Sequence, residues 1–324
     1  MLINIDDYHI HGLDTCYNKY GKFIDIILEH YDESEYFSIL CKIVNDINCL
    51  NKTNCLMEEY VRLGLYRLPQ DVWIHEYLFD HDTYMLSEKY NHDHILKDKY
   101  STYCMFKEYY KRDAMYLTNV QQTDELIQFV KKYKKIVIKP NRGSLGKDVD
   151  DYVRVMIKKP ADVQKILDRY DNDAMVEECI VQHNDTARYN PHSVNTFRIT
   201  YIGRKVFVMF RTGITTSIGD GVNHGGITCS VNENGEIIRA INGARQSFNV
   251  NPKTGEQLIG SVISGVNDAI KMTDEIMDKL KNYHYIGFDV AKLKNGDWCI
   301  VEINNKPSIV CVETALDKGL KNEL

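Results

Sequence analysis

The sequence predicts an α+β protein: a mainly helical N-terminal region over residues 1–95, then a mixed region over 96–324 where strands alternate with helices and antiparallel hairpins follow. Three observations carry this reading. Between Gly21 and Asn91 apolar residues recur at helical spacing, as in Phe23, Ile26 and Ile27 and then Phe37, Leu40, Ile43 and Ile47, with little strand alternation. Beyond residue 95 that periodicity gives way to short apolar runs bounded by turn residues. Two pairs of these runs are joined through Asn234-Gly235 and Asn295-Gly296, the strongest two-residue hairpin signal. The boundary near 95 rests on the change of period, since no linker, repeat or low-complexity tract marks it.

In chain order, a helix over 97–111 opens the mixed region. Strands are expected at 136–139 and 152–156, a helix near 161–170, and a strand at 175–181. Residues 196–202 and 205–212 read as a hairpin about Gly203, and 227–231 with 236–240 as another. A helix from 260 to about 281 then leads to strands at 285–293 and 298–304.

Composition narrows the function classes. The 324 residues, 44% hydrophobic, suffice for two domains or one elaborated one. A net charge of -6 argues against general nucleic-acid binding, which needs a basic surface. No apolar run approaches the roughly 18 to 20 residues of a membrane span, and the first residues carry no signal-peptide pattern, so a cytoplasmic protein without membrane insertion is expected. The nine cysteines contain no C-x-x-C pair, and most are expected to be small buried thiols. His75, His81, His92 and His94 match no zinc spacing and are expected at the surface.

The last hairpin is the most informative segment. If Lys294 pairs with Asp297 across the turn, a constant register puts Val290 opposite Val301 and Asp289 opposite Glu302. Opposed carboxylates destabilise a sheet by about 0.2 to 1 kcal/mol, so a cation between them is expected. Asn304, two residues beyond Glu302, shares their face, and Gly287 opposite it is expected to leave space. An all-oxygen set without His or Cys suits magnesium or manganese, and magnesium is usually shared with substrate phosphates.

Other segments suit a phosphate-bearing partner. Lys139 ends a strand before Gly143, Ser144 and further cations, and a loop of this kind offers backbone N–H groups and ammonium charge to a polyphosphate; alone, such a turn is more often just a hairpin. Pro140 is expected to keep Lys139 extended and aimed out of its strand. Glu177, Glu178, Cys179 and Ile180 form a strand end whose backbone can read an adenine edge. Arg198 and Arg211 lie on paired strands, where a guanidinium clamps phosphate or carboxylate or is simply a surface residue. Asn223 begins an Asn-His-Gly-Gly loop, a close-approach segment or an ordinary turn.

Taken in order from Asp98-Lys99 to Pro307, these pieces resemble the ATP-grasp superfamily. Residues 176–200, VEECIVQHNDTARYNPHSVNTFRIT, look like the signature of its sugar-transfer associated group, whose members are thought to accompany polysaccharide biosynthesis. The resemblance implies an ATP-grasp fold, with a smaller nucleotide-lid subdomain over about 96–180 and a larger metal-binding and acceptor subdomain over about 181–324. It implies ATP and magnesium, two ions, with manganese an alternative. Lys99 and Lys139 match the phosphate-contacting lysines, Gly143-Ser144 the loop that closes over them, and Glu177 to Ile180 the adenine-reading segment. Gln182, His183 and Asp185 are the candidates for the ribose ligand. Arg211, with Arg198 beside it, matches the arginine that steadies the transferring group, and Asn223 faces the same centre. Asp289, Glu302 and Asn304 match the metal ligands. Ser308 departs from the glycine that often follows the proline in the family.

The typical family reaction is carboxylate activation by ATP followed by attack of an amine, and no activated nucleophile stands out in the sequence to suggest a protein-bound intermediate. The implied partners are small-molecule carboxylates and amines, some of them sugar-linked. The expectation is therefore an ATP-dependent carboxylate-amine ligase. The alternatives are a phosphotransferase acting on a hydroxyl and a nucleotide-binding module without catalysis.

Overall fold

The computed structural model describes residues 3–92, 95–96, 98–143, 150–153, 157–214 and 226–324. Ser144, Asn223 and His94 lie outside them. Helices α1 (Leu13–Leu28), α2 (Tyr36–Thr53), α3 (Met57–Leu63), α4 (Gln70–Glu76) and α5 (Asp80–Tyr90) form the N-terminal part. Helix α1 begins eight residues before the predicted onset at Gly21, because Leu13 and Cys16 are already buried at helical spacing.

Helix α6 (Lys99–Tyr110) leads into a four-stranded sheet of order β1-β4-β2-β3, made of β1 (Ala114–Leu117), β2 (Lys135–Pro140), β3 (Asp150–Val153) and β4 (Ala174–Glu178). Helices α7 (Thr123–Tyr133) and α8 (Pro160–Arg169) cover it, burying Leu126, Val130, Val163 and Ile166 against Ile136, Ile138 and Val176. Strand β4 stops at Glu178 rather than 181: Val181 instead accepts a hydrogen bond from Lys294 N at 2.9 Å, and Gln182 bridges to Leu293. A short helix α9 (Asn184–Ala187) follows.

The second sheet has six strands in the order β10-β9-β5-β6-β7-β8. They are β5 (Thr196–Ile202), β6 (Lys205–Thr212), β7 (Ile227–Val231), β8 (Ile237–Ile241), β9 (Tyr285–Lys292) and β10 (Trp298–Asn304). One face, with Phe197, Ile199, Phe210, Cys229, Phe288 and Val290, packs on α6 and on α10 (Val266–Lys279), which begins later than residue 260. The other face carries Ile202, Met209 and Tyr285 into a core shared with α1–α5 and with α11 (Ile309–Leu316). The N-terminal helices thus bury their apolar stripes against the same sheet that bears the candidate site, at roughly 1.5 to 3 kcal/mol for each fully buried large side chain.

The β9–β10 register corrects the uniform count. Near the turn Leu293 N donates to Asp297 O at 2.7 Å, and Val290 lies opposite Ile300 rather than Val301. A bulge between Ile300 and Glu302 then shifts the register by one, so Asp289 still faces Glu302 and Gly287 still faces Asn304. The carboxylate pairing is as counted because a longer turn and a bulge offset one another. Gly287 does not leave open space: a Cβ there would lie 2.8 Å from Pro307 Cβ and 3.4 Å from Arg198 Cδ. Four of the nine cysteines are buried, fewer than expected. His75, His81 and His92 are exposed.

Candidate active site

Cross-strand geometry builds the site. Asp289 on β9 is the direct partner of Arg198 on β5, and Arg211 on β6 is the partner of Thr196, two residues along β5 and on the same face. The two arginines are therefore not partners of each other, yet both reach Asp289. Arg198 Nε and Nη2 donate to Asp289 Oδ1 and Oδ2 at 2.5 and 2.9 Å, a bidentate fork, and Arg211 Nη2 lies 2.8 Å from Oδ1. Arg211 is steadied by Thr196 Oγ1, which accepts from its Nη2 at 2.9 Å. Asp289 is 5% exposed; burial alone would raise its pKa, but the Arg198 and Arg211 charges outweigh it and hold the carboxyl below its ordinary value. Asn304 Nδ2 also approaches Asp289 Oδ2, at 3.4 Å.

This geometry revises the argument from opposed carboxylates. Side-chain cations already compensate both: the two guanidiniums at Asp289, and Lys99 Nζ at 3.6 Å from Glu302 Oε1. Like charge across the hairpin does not by itself require a metal ion.

Glu302 and Asn304 line a cleft of about 310 Å³ together with Lys99, Lys139, Asn141 and Gly143. Helix α6 is positioned there by its own first turn. Asp98 caps it, accepting from Ser101 N at 2.8 Å, while Lys99 N donates to Asn141 O and Tyr100 N to Asn141 Oδ1. Lys99 is thereby held at the end of β2, where its Nζ donates to Gly143 O at 2.6 Å. Burial, and next the opposed influences of Glu302 and Lys139, leave the Lys99 pKa below its ordinary value. Lys99 and Lys139 both line this cleft.

Lys139 does not project freely out of its strand. It is 7% exposed, and its Nζ lies 2.7 Å from Glu177 Oε2. Glu177, expected to lie in a hinge whose backbone reads an adenine edge, turns its side chain into this buried cluster. Arg112 Nη2 donates to Glu177 Oε1 at 2.7 Å and to Val301 O at 3.1 Å, and Arg112 Nη1 donates to Ile300 O. Arg112 thus ties the small sheet to the bulge beside Glu302. The sequence reading missed it, because nothing local to residue 112 signals a partner 65 or 189 residues away.

The remaining candidates are spread along the connection after β4. Glu178 Oε2 accepts from Asp113 N at 3.4 Å, and Cys179 and Ile180 are half-buried. Gln182 is engaged at both ends of its amide, donating to Ser193 O at 2.6 Å and accepting from Asn195 N at 2.7 Å. His183 caps α9, its Nδ1 accepting from Asp185 N at 3.1 Å. Asp185 Oδ2 is bound by Lys292 Nζ and Ser264 Oγ, both at 2.7 Å. Among the described residues, His183 has the fewest side-chain bonds of the three ribose candidates.

The donor set is chemically suited to magnesium. Asp289, Glu302 and Asn304 offer hard oxygens on one sheet face, with no sulfur or imidazole among them, beside a cleft lined by Lys99 and Lys139. Among the described residues no three His, Cys, Asp or Glu side chains converge as a metal site of their own, so a cation here would rely on Asn304 and on substrate oxygens. Ser308 Oγ donates to Asp80 Oδ1 at 2.6 Å, anchoring the segment after Pro307 to α5.

Comparison with known proteins bears on the whole arrangement. No curated protein sequence matches the chain. Distant likenesses among solved structures include a D-alanyl-alanine synthetase A from Vibrio cholerae O1 biovar eltor str. N16961, with 10% identity over 68% of this chain and 58% of that one, TM-score 0.40. D-cycloserine synthetase DcsG has 10% identity over 70% and 69%, TM-score 0.42. The ATP-grasp ligase PsnB, complexed with a phosphomimetic variant of its minimal precursor, Mg and ADP, has 11% identity over 68% and 52%, TM-score 0.37. The chain spans little more than half the length of the first and third of these. Among the described residues no helix is long and apolar enough to cross a membrane. The model of the sugar-transfer associated ATP-grasp family matches residues 79–324, starting at Phe79, immediately before α5, rather than at Asp98. With three quarters of its length inside that match, the chain belongs to the sugar-transfer associated ATP-grasp family.

Proposed function

We propose that the protein is an ATP-dependent carboxylate-amine ligase that forms an amide on a sugar-linked or amino-acid-like precursor, in polysaccharide biosynthesis. The observation that carries this is one sheet face on which the oxygens of Asp289, Glu302 and Asn304 adjoin the guanidiniums of Arg198 and Arg211, beside a cleft entered by Lys99 and Lys139. Lys99 and Lys139 would bind the polyphosphate, and Glu302, Asn304 and Asp289 would hold magnesium. Bound there, magnesium would neutralise charge on the transferring phosphoryl group.

In the proposed reaction a carboxylate oxygen of the substrate attacks the γ-phosphorus and ADP leaves. The amine then attacks the carbonyl carbon, phosphate leaves, and the nitrogen gives up its proton. In this reading Arg211 and Arg198 would offset the negative charge that grows in both steps, which requires a substrate anion to draw them from Asp289. Two groups expected to contribute, Ser144 and Asn223, are assigned by sequence alone, as is the ribose contact from His183, Gln182 or Asp185.

The test is a screen of uronic-acid sugar nucleotides against amino acids with ATP and magnesium, following phosphate release and product mass. A ligase releases phosphate only when carboxylate and amine are both present. A phosphorylated product from a single acceptor would replace the ligase with a phosphotransferase. ATP hydrolysis indifferent to every acceptor would count against both.

A further inference from the structure

A second cavity, of about 320 Å³, lies between the N-terminal helices and the far edge of the large sheet, with His30, Tyr31, Arg67, Arg239, Arg245 and Asp317 in its lining. Three guanidiniums share one carboxylate there. Arg245 Nη2 is 2.6 Å and Arg67 Nη2 2.8 Å from Asp317 Oδ1, and Arg239 Nη2 is 3.4 Å from Oδ2. The lining therefore carries a net charge of about +2 with His30 neutral. That excess is held by a built framework. Backbone carbonyls fix each arginine: Gly64 O accepts from Arg67, Arg62 O from Arg245, and Thr314 O from Arg239.

The backbone is shaped to the same end. Gly64 has φ +67, and a Cβ on it would lie 2.7 Å from both Arg67 Nε and Arg245 Nε, so the missing side chain admits two guanidiniums side by side. Arg245 and Asp317 themselves have φ 63 and 54, left-handed conformations that cost non-glycine residues about 1 kcal/mol or more each. Burial first, and then repulsion from Arg67, lower the Arg245 pKa against the opposing attraction of Asp317. Three guanidiniums gathered in one cavity, one of them on a strained backbone, point to a ligand, not to stability.

We propose that this cavity is a second anion site that binds the phosphate group of a phosphorylated small molecule, with the rest of the molecule against Tyr31 and His30. A phosphate monoester carries about -1.5 to -2 at neutral pH, which matches the excess charge, and guanidinium forks suit its oxygens. The cavity is at the lower end of the ~300 to 1,000 Å³ of small-molecule sites, larger than a bare phosphate needs. It is separate from the nucleotide cleft: Arg239 lies on β8, four strands from β9, or roughly 20 Å at ~4.8 Å per strand. The two sites are joined by α11, whose N-cap, Ser308, follows Pro307 and whose C-cap is Asp317. The assignment does not rest on the ligase reading.

Calorimetric titration of the full chain at low salt, with inorganic phosphate and with glucose 1-phosphate as probes, tests it. Arg67→Gln, at an exposed residue outside the apolar core, should weaken binding at least tenfold. Asp317→Asn keeps a side chain that tolerates the left-handed conformation and removes the competing charge, so it should tighten binding severalfold. Lys139→Ala, in the other cleft, should leave it unchanged, and the ester should bind more tightly than inorganic phosphate. The proposal is overturned if neither probe binds, if Arg67→Gln binds like the wild type, or if Lys139→Ala and not Arg67→Gln abolishes binding. Equal affinity for the two probes would overturn the assignment of an organic ligand.

Discussion

Replacing Glu177 with glutamine keeps the shape of a side chain that is 4% exposed and removes the charge between Arg112 and Lys139, each 2.7 Å away. Two cations then remain buried without a counter-charge. Breaking a buried pair in this way costs about 3 to 5 kcal/mol, far more than the ~0 to 1 kcal/mol of a surface ion pair. Lys139→Met removes the other end of the cluster but leaves the Arg112–Glu177 pair whole, so it should cost distinctly less. Urea unfolding of both variants, followed by circular dichroism, measures the difference. The pH dependence gives a second readout. Burial raises the Glu177 pKa, but Arg112 and Lys139 outweigh it and the folded value lies below the ordinary 4.5. Its stabilisation is then complete above about pH 4.5 and fades as pH falls through the lower folded value, so the gap between wild type and Glu177→Gln should narrow on acidification. A Glu177→Gln variant as stable as the wild type, or less affected than Lys139→Met, would refute the reasoning.

Glu302→Gln should abolish magnesium-dependent ATP turnover with little change in the unfolding midpoint, because the side chain is only partly buried and its lysine contact is 3.6 Å long; near-normal turnover would remove Glu302 from the metal set. Asp289→Asn should lose both turnover and stability, by about 2 to 4 kcal/mol in denaturant unfolding, since Arg198 and Arg211 lose the carboxylate they share. Lys139→Ala should weaken ATP affinity about tenfold or more by calorimetry, and unchanged affinity would discard its phosphate role. Gly287→Ala sets a methyl 2.8 Å from the Pro307 ring and should cost about 1 to 3 kcal/mol while lowering turnover through displacement of the segment after Asn304; an active, fully stable variant would show that this segment yields freely.

The parts of the fold that were legible in the sequence are those written by local rules. Alternation and a glycine turn specify β5 and β6 to the residue, and the Asn295-Gly296 turn announces β9 and β10. Shared faces follow from period two, which is why Asp289, Glu302 and Asn304 were recognisable as one group and why ordered motifs identified the family. The sequence expectation carried no helix over Ile309–Leu316 and no strand over Ala114–Leu117, short segments whose apolar residues show no decisive period. The compensating bulge, the burial of Lys139 against Glu177, and Arg112 bridging the two sheets depend on contacts dozens to nearly two hundred residues apart, where no local signal operates. So does the packing of the N-terminal helices on the large sheet, and with it the arginine cavity that joins residues 30 and 67 to 245 and 317. Sequence determined which chemical groups share a strand face; only the tertiary structure decided which charges meet across elements, because pairing and burial are properties of the assembled chain.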